Sequence, residues 1–154
     1  LPSPEVTYLF NGDICDRGDS AKRGGQQALL IWACVLSFKL AFPESIFINR
    51  GNHEDSDYWP QYGAAGFSGE IESKYSRKEA DHLVEAFAGL CNVLPLAAVV
   101  DGCSLVTHGG LSRSWQGDDA VRLHDLASLQ RPLKIPEAPV MRSQQIVYDI
   151  TWSD

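Results

Sequence analysis

The sequence has no Cys-x-x-Cys pair, no apolar run of membrane-spanning length, no basic leader and no excess of positive charge. Each absence removes a class of protein. Cys15, Cys34, Cys91 and Cys103 are scattered, which in 154 residues reads as reduced intracellular thiols rather than a disulfide frame. No stretch approaches the ~20 apolar residues of a membrane helix, and "LPSPEV" offers no basic n-region of a signal peptide. A net charge of −7 argues against a general nucleic-acid surface. The expectation is an intracellular protein, cytoplasmic or nuclear, with no membrane and no nucleic acid as partner. Internal repeats and low-complexity segments are also missing.

What is present fits one globular domain with a real core: 44% of residues are hydrophobic and 21% charged. "VTYLF" (Val6 to Phe10) is β-branched and aromatic, a buried strand ended by Asn11-Gly12. "GQQALLIWACVLSFKLAF" is apolar all round and predicts a well-buried helix ended by Pro43. "SIFIN" (Ser45 to Asn49) is the next strand, and strand-helix-strand predicts a parallel, adjacent pair. "RGNHEDSDYWPQYGAAGFSG" reads as a polar, Gly-rich loop. "SRKE" (Ser76 to Glu79) has capping-box spacing and opens the helix "ADHLVEAFAGL", with Leu83, Val84, Phe87 and Leu90 on one face. "LAAVVDGCSLVTH" predicts two strands around a two-residue type I′ turn at Asp101-Gly102. The Pro-rich segment from Arg131 to Arg142 reads as an irregular crossing loop. The chain opens without Met and closes on "ITWSD" directly after an apolar stretch, so a piece of a longer protein is expected.

Three polar clusters share one placement. Gly12-Asp13 follows the first strand, Gly51-Asn52-His53-Glu54 the second, and His108-Gly109-Gly110 the second strand of the hairpin. In open α/β sheets, sites form beyond the carboxyl ends of strands. Strand ends can therefore bring Asp13, Asn52 and His108 to one point. Carboxylate, amide oxygen and imidazole suit a divalent metal of the Mn, Fe or Zn kind. Singly, each has an ordinary reading: an Asp ending a strand, a turn Asn, a strand-end His. The two aspartates of "FNGDICDRG" stand beside Arg17, which on its own is compatible with a surface salt bridge to Asp16.

"GDICDRG", "RGNHE" and "HGG" resemble the three central motifs of the metallophosphoesterases, specifically the Ser/Thr protein phosphatases of the PPP family, and they occur in the right order. "YLFNGD", "FPESIFINRGNHE", "YGAAGFSGEIESKY", "LPLAAVVDG" and "ITWSD" resemble the branch that holds type 5 protein phosphatase and the EF-hand phosphatases. The resemblance implies an α/β fold: a metallophosphoesterase-type β-sandwich flanked by helices (αββα), here incomplete at both ends. Residues 1–154 would form part of that catalytic domain. It implies two metal ions (Mn, Fe or Zn) sharing an aspartate, matched by Asp13, with Asn52 and His108 as further ligands of the second metal. His53 matches the general acid, Asp16 the carboxylate that orients it, and Arg17 a phosphate-binding arginine, with Asn52 and His53 also facing phosphate. The implied reaction is direct, in-line hydrolysis of phosphoserine and phosphothreonine in proteins. Regulatory domains or subunits would lie outside this chain.

The family's upstream GDxHG motif and its last metal-ligand histidine and second phosphate-binding arginine are not found here. On this reading the first metal keeps only Asp13, and the isolated chain is expected to be a weak enzyme or an inactive one. Two other readings stay open: a non-catalytic scaffold on the same fold, and a phosphoesterase acting on nucleotides or diesters. Asn49 stands where the family usually has an apolar residue. Glu54 is expected to support its loop rather than bind metal, and Asp55 and Asp57 to form a solvated face. His82 and His124 read as histidines without partners. Tyr58, Trp59 and Tyr62 are candidates for a substrate groove or for packing. Cys15 reads as a buried, inert thiol.

Overall fold

The computed structural model describes residues 1–16, 27–117 and 119–153. Strand β1 (Tyr8–Asn11) leads to helix α1 (Ala28–Ala41) and strand β2 (Ile46–Asn49). The strands pair in parallel, with Tyr8 opposite Ile46 and Asn11 opposite Asn49, as a strand-helix-strand order predicts. Helix α1 buries Ala28, Trp32 and Val35, one stripe at helical spacing, while Leu30, Ile31 and Leu40 are exposed. The expectation of a helix buried all round therefore fails for this chain. Apolar composition states what a helix can bury, and the neighbours of α1 cover one face of it.

The segment after β2 is more ordered than its glycines suggest. A 3₁₀ turn (Trp59–Ala65) and helix α2 (Phe67–Lys74) occupy most of it. Aromatic packing overrides the loop-like composition: the Trp59 and Phe67 rings lie 5.0 Å apart, and Phe67 meets Phe87 edge-on at 5.0 Å. Helix α3 (Arg77–Val93) begins where the capping box predicts. The Ser76 N–H donates to the Glu79 carboxylate at 3.0 Å. Leu83, Val84, Phe87 and Leu90 of α3 pack against a core that includes Ile14, Cys15, Trp32, Ile48, Trp59, Ile71 and Cys91.

Strands β3 (Ala97–Val100) and β4 (Ser104–Thr107) form an antiparallel hairpin. Its connection has three residues rather than two. Asp101 and Gly102 both have positive φ, as a type I′ turn requires, and the Cys103 N–H donates to Val100 O at 3.1 Å. The extra residue shifts the register so that Val100 faces Ser104. Helices α4 (Leu123–Ala127) and α5 (Arg142–Trp152) follow, joined by the irregular Pro-rich segment. Helix α5 escaped the sequence reading. It anchors a second core of Leu96, Ile135, Ile146, Val147 and Ile150. No helix among the described residues is long and apolar enough to cross a membrane.

Candidate active site

The loops after β1 and β2 lock into each other. Gly12 has φ +81°, and a Cβ there would fall 2.6 Å from Gly51 Cα and 2.8 Å from His108 Nδ1, so no side chain fits. Beyond it, Asp13 and Asp16 have φ of 58° and 55°, a region that costs a non-glycine residue energy. The buried Glu54 carboxylate holds this turn. It accepts the N–H groups of Asp13 at 2.6 Å, Ile14 at 2.7 Å, Cys15 at 2.9 Å and, from its own loop, Gly51 at 2.9 Å. Charge-assisted bonds of this kind are among the strongest available. Glu54 thus supports the loop.

Asp13, Asn52 and His108 meet. His108 Nε2 lies 3.1 Å from Asp13 Oδ1 and 3.2 Å from Asn52 Oδ1. The other ring nitrogen, Nδ1, sits 2.6 Å from the backbone oxygen of Asn11, to which only an N–H can bond. In the neutral ring Nε2 therefore carries a lone pair, turned toward two further oxygen acceptors. A lone pair facing a carboxylate oxygen and an amide oxygen is a donor set that suits a cation. Donors about 2.1 Å from one ion and ~90–110° apart lie about 3.0–3.4 Å from each other, so the observed spacings fit. A ring whose second nitrogen bonds a backbone carbonyl is also the usual support for a metal-binding histidine. Among the described residues no three His, Cys, Asp or Glu side chains gather into a metal-binding group. The third member of this cluster is an amide.

Alongside, His53 Nδ1 lies 3.0 Å from Asp16 Oδ2. Asp16 Oδ1 accepts the Phe67 N–H at 2.6 Å, at the first residue of α2, where the helix favours negative charge. The His53 backbone is fixed by its N–H, 3.4 Å from Asp13 Oδ1, and by Trp59 Nε1, which donates to His53 O at 2.8 Å. The Tyr62 ring packs 5.2 Å from the His53 ring. Arg17 lies outside the described residues.

Several contributors were not legible in the sequence. Asp55 is buried, against the expectation of a solvated face. It pairs with Arg50, whose guanidinium also has no exposure, at 2.9 Å. Arg50 further donates to Glu54 O at 2.9 Å, Leu133 O at 2.5 Å and Asn92 Oδ1 at 3.1 Å. Burial lowers the Arg50 pKa from its ordinary value, and Asp55 opposes that shift. Asp55 also accepts the Ile135 N–H at 2.9 Å. The motif arginine thus ties the site loop to the Pro-rich segment. Asp57 is exposed and pairs with Lys134 at 2.9 Å, as a solvated residue does. Trp59 is fully buried, so it packs rather than lines a groove, and Tyr58 packs 5.2 Å from Trp152. His82 lies on α3 and His124 on α4. Cys15 is buried under the Trp32 N–H at 3.3 Å, and burial pushes its thiol well above the ordinary range.

His108 arrives from the hairpin. Gly109 N–H donates to Ile150 O near the end of α5 at 2.6 Å, and a Cβ on Gly109 would lie 2.7 Å from Trp152 N. The chain end "ITWS" therefore backs the "HGG" turn.

A fold with site loops at the carboxyl ends of parallel strands and a carboxylate-amide-imidazole cluster defines a class, and the sequence comparisons agree with it. The sequence model of the calcineurin-like phosphoesterases matches residues 2–154, and the chain belongs to that family. It is 39% identical over 157 residues to the serine/threonine-protein phosphatase rdgC of Drosophila melanogaster, covering 100% of this chain and 22% of that protein. It is 38% identical over 154 residues to serine/threonine-protein phosphatase 5 of Arabidopsis thaliana, covering 100% of this chain and 24% of the relative. The human phosphatase 5 is 32% identical, with 100% and 26% covered. A solved structure of a serine/threonine phosphatase from Saccharomyces cerevisiae, described as similar to human phosphatase PP5, superposes with a TM-score of 0.75 at 29% identity, over 98% of this chain and 40% of that one. The fold is accordingly the metallophosphoesterase α/β fold, and the resemblance read from the three motifs holds. This chain spans about a quarter of the length of these relatives. Membership in the family implies divalent metal ions.

Proposed function

We propose that the protein is a metal-dependent hydrolase of phosphoserine and phosphothreonine in proteins. The observation that carries this reading is the meeting of Asp13, Asn52 and His108 at one point, with the Asp16–His53 pair beside it. Asp13, Asn52 and His108 would hold the metal; Mn, Fe and Zn all suit these donors. Metal bound there would supply the Lewis acidity that makes water nucleophilic near neutral pH and offsets phosphoryl charge. The chain's own residues do the rest. Arg17, with Asn52 and His53, binds the phosphate oxygens; a guanidinium fork suits two of them. The water oxygen forms its bond to phosphorus in line as the bond to the seryl or threonyl oxygen breaks. Asp16, at Nδ1, orients His53 so that its Nε2–H can protonate the departing alkoxide.

The names of the relatives support a phosphoprotein substrate over a nucleotide or diester. Residues 1–154 are read as the central part of a longer catalytic domain, with regulatory domains elsewhere in the protein. Free thiols at Cys15, Cys34, Cys91 and Cys103 fit an intracellular setting, cytoplasmic or nuclear. The test is hydrolysis of a phosphoserine peptide by the full-length protein with Mn²⁺, with a bis-phosphodiester as control. Asp13→Asn and His53→Asn should each lower kcat by about 10²–10⁴-fold. A loss of less than tenfold, or a preference for the diester, overturns the proposal.

A further inference from the structure

Among the described residues, no backbone ladder joins the parallel β1–β2 pair to the β3–β4 hairpin; each forms a separate two-stranded sheet. Yet His108, at the end of β4, must reach Asp13 and Asn52 at the ends of β1 and β2. Two side-chain amides span the gap. Asn11 and Asn49 face each other as the last residues in the register of their strands. Asn49 Nδ2 donates to Asn11 Oδ1 at 3.0 Å and to Val106 O at 3.2 Å. Asn11 Nδ2 donates to Thr107 O at 2.8 Å, and Asn11 O accepts from His108 Nδ1 at 2.6 Å. Asn49 is 1% exposed, so its amide is committed to these bonds with little water to replace them.

We propose that the Asn11–Asn49 pair is a positioning device for His108, holding the end of β4 in place and fixing the ring in the Nδ1–H tautomer with Nε2 toward Asp13 and Asn52. This rests on the metal-site reading above. The two amides act as a substitute ladder: each carbonyl of the last two β4 residues takes one side-chain N–H from the parallel pair. Asn11 then holds both sides of the Thr107–His108 peptide, through its side chain on one residue and its backbone oxygen on the next. An apolar side chain at position 49 would take one donor from Val106 O and one from Asn11 Oδ1, and the ring would lose its alignment. Supporting partners of this kind are worth about 10–100-fold in metal affinity.

The experiment measures Mn²⁺ affinity by calorimetry in the full-length protein, for wild type, Asn49→Leu and Asn49→Ser, each confirmed folded by circular dichroism. The expected result is a 10–100-fold weaker Mn²⁺ Kd. The kcat on a phosphopeptide should fall at limiting Mn²⁺ and recover at saturating Mn²⁺, with KM for the peptide unchanged. Nitrogen NMR should find the His108 ring as the Nδ1–H tautomer in wild type and as a mixture in the variants. A folded variant with Mn²⁺ affinity within twofold of wild type, or a wild-type His108 protonated at Nε2 alone, overturns the inference. If Asn49→Leu does not fold, Asn49→Ser and the wild-type tautomer still decide it. Failure of His108→Ala to weaken Mn²⁺ binding overturns the metal-site reading itself, an outcome distinct from failure of the asparagine variants alone.

Discussion

The side of the site built on β1 and β2 and the side built on the hairpin are held by different forces. Asp13, Asp16, Asn52 and His53 stand on two strands joined by a parallel ladder, over an aromatic core, with Glu54 binding one loop to the other. His108 stands on a hairpin with its own smaller core, shared with α5. Polar side chains link it to the other side, Asn11 and Asn49 at the strand ends and Arg50 and Asp55 at the Pro-rich segment, beside one backbone bond from Arg50 N–H to Pro95 O and the Tyr58–Trp152 ring contact. Four of the site residues thus stand over one core, and the fifth over another. Geometry between the two sides depends on two strand-end amides, of which Asn49 is buried, and on one buried guanidinium.

Removing the guanidinium breaks that comparison most sharply. Arg50→Met leaves Asp55 as a buried charge without its partner, and a loss of about 3–5 kcal/mol in stability is expected. Hydrogen exchange should show the hairpin and α5 losing protection before α1 and α3. The double variant Arg50→Met/Asp55→Leu should recover part of the loss, a coupling of about 0.5–3 kcal/mol in a double-mutant cycle. An additive cycle would show that the two sides do not communicate through this pair.

Glu54→Gln strikes the first side instead. It sets an amide N–H₂ against backbone N–H donors, and about 2–3 kcal/mol should be lost in urea titrations. The strained Asp13–Asp16 turn should then lose order, so Mn²⁺ affinity falls with stability. Unchanged affinity would place the control of this turn elsewhere.

Thiol labelling separates buried from exposed positions without mutation. Burial raises the Cys15 thiol and keeps it in the unreactive form. Cys34 and Cys103, which are exposed, should label in the native protein, while Cys15 and Cys91 should label only on unfolding. Fast native labelling of Cys15 would mean that the first side opens more readily than its packing implies.

The smallest effect belongs to Glu79, remote from both sides. Its hydrogen bonds from Ser76 hold the carboxyl below its ordinary value in the folded state. Its contribution to stability is therefore full above the ordinary carboxylate range and is lost as pH falls through the lowered folded value. Glu79→Gln should lower the thermal midpoint slightly at neutral pH and not at all at strongly acid pH. A difference that persists in acid would point to packing rather than charge.

The parallel pair, α3 with its capping box and the ends of the three strands were legible because each rests on local patterns: β-branched and aromatic composition, helical spacing, and a serine three residues before a glutamate; the first strand is nonetheless shifted to Tyr8–Asn11 and only partly buried. Placing Asp13, Asn52 and His108 beyond strand ends needed nothing further. Asp55 was misread because an acidic run looks solvated until a buried arginine from the neighbouring motif meets it. The ordered segment from Trp59 to Lys74 was misread as a loop because its glycines are local and its aromatic partner Phe87 is distant in sequence. Helix α5 was missed although it backs the "HGG" turn, since its buried face includes Gln145, Asp149 and Thr151 as well as apolar residues.

By itself the sequence determined which chemical groups the protein places at its strand ends and in what order, because motif spacing and strand composition are short-range properties. Only the tertiary structure decided how those groups are held. Glu54 binds one loop to the other, Arg50 reaches Leu133 across 83 residues, and Asn11 and Asn49 span two sheets. Glu54, Arg50 and Asn49 are buried polar groups that had to find partners once water was excluded, and which partner each found depended on segments distant in the chain.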